Sequence, residues 1–585
     1  MNQPEFRDSV PLHFASHQEV YEETIRKATA IFSKTRELLK KQGYDANNFV
    51  NFMDIMLGDG FIREVNPLRI HFSMFIPSIK AHGSAEQQDR WLQKAVNCEI
   101  IGSYAQTELG HGTFLRGLET TATFDEDTDE IVINSPRLSS YKWWPGALGH
   151  TVNHCIVMAK LYSKGRYHGV NPFMVQIRDE ETHMPLSGLE IGEIGHKVGF
   201  NGVNNGFLGF KNFRIPRSNM LMKNAKLLRD GTYQKPISSV LNYGTMVFVR
   251  VIITRNMAQL LAKAATIAVR YSCVRRQSVI DPNKPEVQVI DHQTQQVKLL
   301  PQIAKAIALK ATADNLWKMY EATQVDLETG NTDRLPELHA MACCLKAVSS
   351  ADTAAGVETA RYLVKVWNQA LKGQRLMPTV RYLEQYATNS VKRFAWSDST
   401  PVIIEAFQAV TANRLRLANE HIQQRVKAGR TPQEATNETG LELVRLAEIH
   451  CRGFILQSAY AAIEQACQTA SQPLGEVLRE ICRLVVYDEA LRITGDLLRF
   501  TTMSDPDLVE LQRKYEASLG AIRPNAVSIV DAFDYPDFIL GSTLGAYDGN
   551  VYERLFEDAM KSPLNQEPVN RTFELYLKPF MRGKL

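Results

Sequence analysis

No C-x-x-C pair occurs in the 585 residues, and the eight cysteines (Cys98, Cys155, Cys273, Cys343, Cys344, Cys451, Cys467, Cys482) are scattered. This argues against a paired-cysteine zinc site or a disulfide framework and fits a reducing compartment. No run of eighteen apolar residues exists, so nothing reads as a membrane span. The opening MNQPEFRDSVPLHF has no apolar stretch of the secretory kind. The phosphate-binding pattern G-x-x-x-x-G-K-[ST] is absent as well. A net charge of only +3 gives no whole-protein argument for nucleic acid. What is present, 44% hydrophobic and 22% charged residues, is an ordinary globular composition in a chain too long for one core.

Near the start the helix signals agree with one another. Ser16 and Glu19 form an S-x-x-E capping box, Tyr21, Ile25, Ala28, Phe32 and Leu39 follow the helical period, and Gly43 can take a left-handed C-cap. Near Ile101 the character changes. EIVINS, HCIVMAKLY, NPFMVQIRD and NGFLGFKNFRIP are short β-branched and aromatic runs broken by Gly, Asn and Pro, which predicts strands ending near Pro216 or a little beyond. From Thr245 the helical period returns, with two long helices expected within 246–277 and 291–323. RTPQEAT, with Thr431 as N-cap and Pro432 at the first position, opens another helix. The expected fold class is multidomain α+β: a helical domain over 1–100, a central β domain over 101–240, a helical bundle over 241–430 and a last helical domain over 431–585.

Residues 231–280 contain no Asp or Glu, yet hold Lys235, Arg250, Arg255, Lys263, Arg270, Arg275 and Arg276. A helix with charges of one sign gains nothing from i,i+4 pairing within itself. Two readings stay open: acidic partners on a neighbouring element, or an anionic ligand such as a dinucleotide pyrophosphate or the phosphates of coenzyme A.

The stretch YAQTELGHGT (104–113) also admits several readings. Glu108 and His111 make a single E-x-x-H, but a metal site would need a second ligand set and none is found. Gly110 and Gly112 can mark a tight turn where they allow positive φ. What remains is a loop whose threonine hydroxyl and backbone amides face a planar polar ring. YKWWPGALG (141–149) holds two of the six tryptophans beside Pro145 and Gly146. Such a pair usually puts one ring in the core and one at an edge, and a Trp before Pro-Gly can wall a flat aromatic cofactor.

With SYAQTELGHGTFLRGLETTATFD, YKWWPGALG, NGFLGFKNFRIPRSNML, NYGTMVFVR, RYSCVRRQS, DHQTQQVKLLP and the late segment RPNAVSIVDAFDYPDFILGSTLGAYDGNVYERLFEDAMKSPLN, the chain closely resembles the peroxisomal acyl-CoA oxidases. These are flavoproteins related to the acyl-CoA dehydrogenases, and the late segment belongs to the oxidases alone. The resemblance implies the acyl-CoA dehydrogenase architecture with an added C-terminal helical domain, FAD as cofactor, and α,β-desaturation of fatty acyl-CoA with O2 reduced to H2O2. It implies that Thr107 hydrogen-bonds the flavin ring, that Gly146 contacts it through the main chain, and that Trp144 lines it. Arg275 would reach the FAD pyrophosphate of a neighbouring subunit, hence a homodimer or a heterodimer with a related oxidase.

The family's base is the first glutamate of an EGEN-like motif that follows a CGGHGY-like motif, and a backbone amide of that segment serves the thioester oxygen. Neither motif occurs here. The chain reads SSADTAAGVETARYLVKVWNQALKGQ, in which GVETAR resembles the helix before that segment and TARYLVK the helix after it, fused at Thr359-Ala360-Arg361. Glu358 falls where the family has a structural glutamate, and residues 231–280 offer no substitute, so no catalytic residue is assigned. Lost helix faces should leave a costly cavity or force local collapse. Gly583-Lys584-Leu585 resembles the Ser-Lys-Leu peroxisomal address, set against a plain basic tail. The chain is expected to begin inside the family's first domain. The rival reading is a non-catalytic subunit that dimerises with an intact oxidase.

Overall fold

The computed structural model describes residues 14–41, 62, 65–112, 114–235, 244–279, 283–328, 331–350, 356–388, 393–561, 565, 569, 571 and 573–581. They fall into two compact units, Met1–Met246 with Tyr552–Leu585, and Val247–Val551.

The first unit opens with α1 (His17–Lys41). Its start is fixed as expected: the Ser16 amide donates to Glu19 Oε2 at 2.7 Å and the Glu19 amide to Ser16 Oγ at 3.3 Å. Gly43 and the Leu39 side chain lie outside the described residues. Helices α2 (Ile76–His82) and α3 (Ala85–Val96) follow, the latter started by a Ser84/Gln87 capping box. Ala28, Ile31, Phe32, Phe72, Phe75, Ile79 and Trp91 form a core with Ile156 and Met174 of the sheet. His71 ties this core to the first strand: its Nε2–H donates to Ala95 O at 2.9 Å and its Nδ1 accepts from the Gly102 amide at 3.0 Å. That pattern requires a neutral ring, and burial lowers its pKa to about 4.

Eleven strands come next among the described residues: β1 (Gly102–Ala105), β2 (Thr121–Asp125), β3 (Glu130–Asn134), β4 (Lys142–Trp143), β5 (His154–Ser163), β6 (Arg166–Gln176), β7 (Leu189–Glu193), β8 (Gly206–Phe210), β9 (Phe213–Pro216), β10 (Lys226–Leu227) and β11 (Tyr233–Gln234). In the larger sheet the order is β1-β5-β2-β3-β9, with β6 on the other edge of β5. Two short strands share one edge of β5, in parallel: β1 pairs with its first half (Gly102 opposite His154) and β2 with its second (Thr121 opposite Lys160). Being flanked on both edges, β5 is buried along most of its length, which is why it reads as a nearly continuous apolar run. A smaller sheet runs β4-β8-β7, with Trp143 opposite Phe207.

The second unit is helical. Its main helices are α4 (Gly244–Val274, from Val247 onward), α5 (Gln293–Glu328), α6 (Leu335–Ser350), α7 (Gly356–Leu371), α8 (Thr400–Lys427), α9 (Gly440–Cys467), α10 (Gln472–Leu491) and α11 (Asp505–Ile522). One hydrophobic cluster runs through them from Val247 to Val530. Thr431 caps a short helix, Pro432–Glu438, through a box with Glu434, as its sequence predicts. GVETARYLVK lies within one continuous helix, α7, although the side chains of Glu358, Thr359, Ala360 and Arg361 lie outside the described set. Beyond them Leu363, Val366 and Trp367 are buried, and α7 packs on α6 and α9. A cavity of about 520 Å³ is present in this unit, lined by Asn315, Lys318, Arg334, Glu337, Thr379 and Phe454 among others. It sits at the Glu337 end of α6, roughly 20 Å along that helix from Ser350 and the junction side.

Candidate functional site

Two loops of the first unit are laced together. The Trp143 amide donates to Thr107 O at 3.0 Å, Leu109 N to Tyr141 O at 2.9 Å and Gly110 N to Ser139 O at 2.9 Å. Trp143 stacks on Phe207 across β4 and β8, with centroids 5.9 Å apart and planes at 19°. Trp144 turns the other way and is 50% exposed. Its φ is +87° and that of Ala147 +63°. Backbone of this kind costs roughly 1–3 kcal/mol per residue and persists only where the surroundings over-determine it. They do so here: Trp144 N donates to Gly206 O at 3.1 Å, Asn205 Nδ2 to Trp144 O at 2.6 Å, and Ala147 N to Val203 O at 2.9 Å. The positive φ expected at Gly110 and Gly112 is therefore found elsewhere, on a tryptophan and an alanine. Gly110 is needed for space instead, since a Cβ there would lie 3.0 Å from Ser139 Cβ.

Two hydrogen-bonding groups on this wall have no protein partner among the described residues. The half-buried Thr107 uses its carbonyl to hold Trp143 and leaves its hydroxyl unpaired. Gly146 accepts from Ser103 Oγ at 2.7 Å through its carbonyl, and its N–H meets no acceptor. Thr107, Trp144 and Gly146 thus come together on one pair of loops. Arg275 belongs to the second unit, just past α4. Its backbone is fixed by Tyr271 O at 2.8 Å and the Val289 amide at 2.9 Å, while its guanidinium is exposed and has no acidic partner among the described residues.

Glu108 has a structural task. Its Oε1 receives Lys142 Nζ at 2.9 Å, the Thr120 amide at 3.0 Å and Thr120 Oγ1 at 2.6 Å, and its Oε2 the Glu119 amide at 2.6 Å. Burial works against ionisation of Glu108, but the Lys142 charge and these donors outweigh it and hold the carboxyl below its ordinary range. Among the described residues no cluster of three or more His, Cys, Asp or Glu could hold a metal. Sequence reasoning missed Lys142. The available signal was a lysine between Tyr141 and Trp143 in a short strand, where a buried cation demands a buried anion.

Within the basic stretch, one residue follows the reading of acidic partners on a neighbouring element. Arg270 is paired by later acids: Nε lies 2.9 Å from Asp531 Oδ1 and Nη1 3.4 Å from Asp537 Oδ1. Arg276 donates to Glu286 O at 2.7 Å, Arg250 Nη1 lies 3.4 Å from His339 Nδ1, and Lys263 sits over the Tyr535 ring. Arg275 keeps an exposed guanidinium without a partner among the described residues, and the half-buried Arg255 has none there either.

Family models match three stretches: acyl-coenzyme A oxidase N-terminal over residues 1–101, acyl-CoA oxidase C-alpha1 domain over 243–364, and acyl-CoA oxidase over 399–582. Acyl-coenzyme A oxidase 1 of Drosophila melanogaster is 49% identical, covering 100% of this chain and 93% of its own length. Peroxisomal acyl-coenzyme A oxidase 1 of Bos taurus is 38% identical over 98% of this chain and 93% of its own. Among solved structures, acyl-CoA oxidase-2 of Caenorhabditis elegans, bound with FAD, ascaroside-CoA and ATP, superposes with a TM-score of 0.93 at 35% identity over 99% of this chain and 92% of that one. Arabidopsis thaliana acyl-CoA oxidase 1 gives 0.91 at 31% identity over 100% and 94%. The fold is that of the flavin-dependent acyl-CoA oxidoreductases. The chain belongs to the acyl-CoA oxidase family. Alignment with the Drosophila protein spans 626 positions against 585 residues here, so at least 41 positions fall opposite gaps in this chain.

Proposed function

We propose that this chain is a peroxisomal, FAD-dependent acyl-CoA oxidase of fatty-acid β-oxidation, with Thr107, Trp144 and Gly146 forming the flavin wall. The observation that carries the reading is the pair of open groups on that wall, the Thr107 hydroxyl and the Gly146 N–H, beside an exposed indole held at positive φ. They fit a planar ring edged with acceptors and donors. When bound, FAD supplies the redox step, taking the hydride from the acyl β-carbon and passing its electrons to O2 as H2O2. The protein's part would be to bind and orient: Thr107 and Gly146 would hold the ring edge through the hydroxyl and the N–H, and Trp144 would line it and exclude water.

Arg275 supports the dimer. An exposed guanidinium with no acid to pair with is suited to a pyrophosphate, and we assign it to the FAD of a second subunit, in a homodimer or with a related oxidase. The peroxisomal assignment follows the relatives. We read Gly583-Lys584-Leu585 as its address, although those residues lie outside the described set. The domain division at 240/241 and 430/431 is part of the same reading, as is the lack of an assigned base. The α-proton of the substrate has no carboxylate to go to in residues 231–280, so turnover by this chain is expected to be slow.

The test is FAD titration by flavin fluorescence. The parent chain should bind FAD and Thr107→Ala should bind it at least about tenfold more weakly, the loss of one hydrogen bond to a buried partner. A parent chain that shows no flavin absorbance after FAD is added would overturn the reading.

A further inference from the structure

We propose that the buried Lys142–Glu108 pair is a positioning device that sets the height of the Thr107 hydroxyl on the flavin wall. The inference rests on the assignment of Thr107 to that wall. Both side chains of the pair are 0% exposed. The three hydrogens of the Lys142 ammonium are spent on Glu108 Oε1 at 2.9 Å, Met158 O at 2.7 Å and Gln106 O at 3.3 Å. Two of these acceptors belong to the residues on either side of Thr107, and the third is on β5 in the centre of the larger sheet. Thr107 is therefore gripped from both flanks by one cation that is itself fastened to a largely buried strand paired on both edges.

The backbone adds a second grip. Glu108 and Lys142 form an antiparallel bridge, and the Trp143 amide holds Thr107 O. On its other side Glu108 is fixed by the Glu119 amide and by Thr120, whose own carbonyl receives the Lys160 amide at 2.9 Å. A loop with only its backbone bonds could pivot about them. A salt bridge with every donor and most acceptor positions filled cannot shift without breaking several charge-assisted hydrogen bonds together. The ammonium suits the task better than a guanidinium would, because three acceptors converge on one nitrogen in a space with no exposure.

Removing one partner alone would strand a buried charge, so the informative variant is the neutral double, K142M/E108Q, which keeps the volume and, through its amide oxygen, the Thr120 bonds, while its amide nitrogen cannot accept from the Glu119 N–H. We expect it to fold with an apo melting temperature lowered by a few degrees, the cost of the unpaired Glu119 N–H and of the Gln106 and Met158 carbonyls that lose their donor, and to bind FAD about tenfold more weakly, with blurred vibrational structure in the visible flavin band. The decisive comparison is in the Thr107→Ala background. If the pair acts through Thr107, K142M/E108Q should lower FAD affinity less than about twofold there, a non-additivity expected of residues acting as a unit. Equal losses in both backgrounds, or no loss in the parent, would overturn the proposal. If T107A itself leaves FAD affinity unchanged, the flavin-wall assignment fails instead. Should the double variant not fold, T120V removes one donor to Glu108 without stranding a charge. It should weaken FAD about threefold in the parent and not at all in T107A, and an unchanged affinity in the parent would count against the proposal in the same way.

Discussion

Replacing Arg270 by methionine tests the electrostatics of the helical unit. The guanidinium is 7% exposed and makes three kinds of contact: Asp531 Oδ1 at 2.9 Å from Nε and 2.8 Å from Nη2, Gly545 O at 2.8 Å, and Asp537 Oδ1 at 3.4 Å. Its carbon also lies 5.1 Å from the centre of the Tyr547 ring. Methionine keeps the stem's packing but removes the donor from Asp531 and Gly545 O and one donor from Asp537, which keeps the Tyr547 amide at 3.0 Å. Breaking a fully buried pair costs roughly 3–5 kcal/mol. Asp531 and Asp537 keep 26% and 30% of their side chains exposed, so water recovers part of this. We expect a loss of about 2–4 kcal/mol, or a melting temperature lower by roughly 3–6 °C for a unit of this size. Segment 531–547 should also become the first site of limited proteolysis. Because the penalty comes from stranded charge, R270M/D531N/D537N should regain most of the loss. A single variant melting within 1 °C of the parent, or a triple variant no better than the single, would refute the reasoning.

Four further outcomes are expected. Burial lowers the pKa of His71, His82, His154 and His450 to about 4, below the unfolded value of about 6.5. The unfolded chain therefore takes up protons first, and stability, complete above about pH 6.5, should fall as pH drops toward 4, by up to about 5 kcal/mol per pH unit if all four contribute; equal urea midpoints at pH 7 and pH 5 would refute this. Trp144→Gly removes the left-handed strain and should leave apo stability unchanged or raised by up to about 2 kcal/mol, while weakening FAD; calorimetry and FAD titration read the two effects separately. Arg275→Gln should reduce FAD affinity in the dimer without changing the apo melting temperature, and a strictly monomeric protein that holds FAD tightly would contradict its role. H2O2 release with a saturated acyl-CoA should be slower than for an intact family member by roughly 10² to 10⁴, should recover when a relative's glycine-motif and glutamate segment is inserted after Arg361, and should not respond to Glu358→Gln.

Much of this molecule was legible in its sequence because the information is local. The Ser16/Glu19 and Thr431/Glu434 capping boxes act over three residues, and each starts a helix where the pattern puts it. The apolar run HCIVMAKLY is a strand because its composition suits burial on both faces, and it is one. The stretches around Thr107 and Trp144 could be singled out because their glycine and tryptophan patterns are compact, but their joint assignment to a flavin is what the family resemblance implies. Tertiary structure decided what depends on distant partners. That Glu108 is an anchor and not a ligand follows only from Lys142, 34 residues later. That Arg270 is neutralised follows from Asp531, 261 residues later. The positive φ fell on Trp144 and not on a nearby glycine because Asn205, 61 residues later, and the adjoining Gly206 hold that backbone in place, and the energy to impose such strain resides in the packed fold, where no local propensity records it.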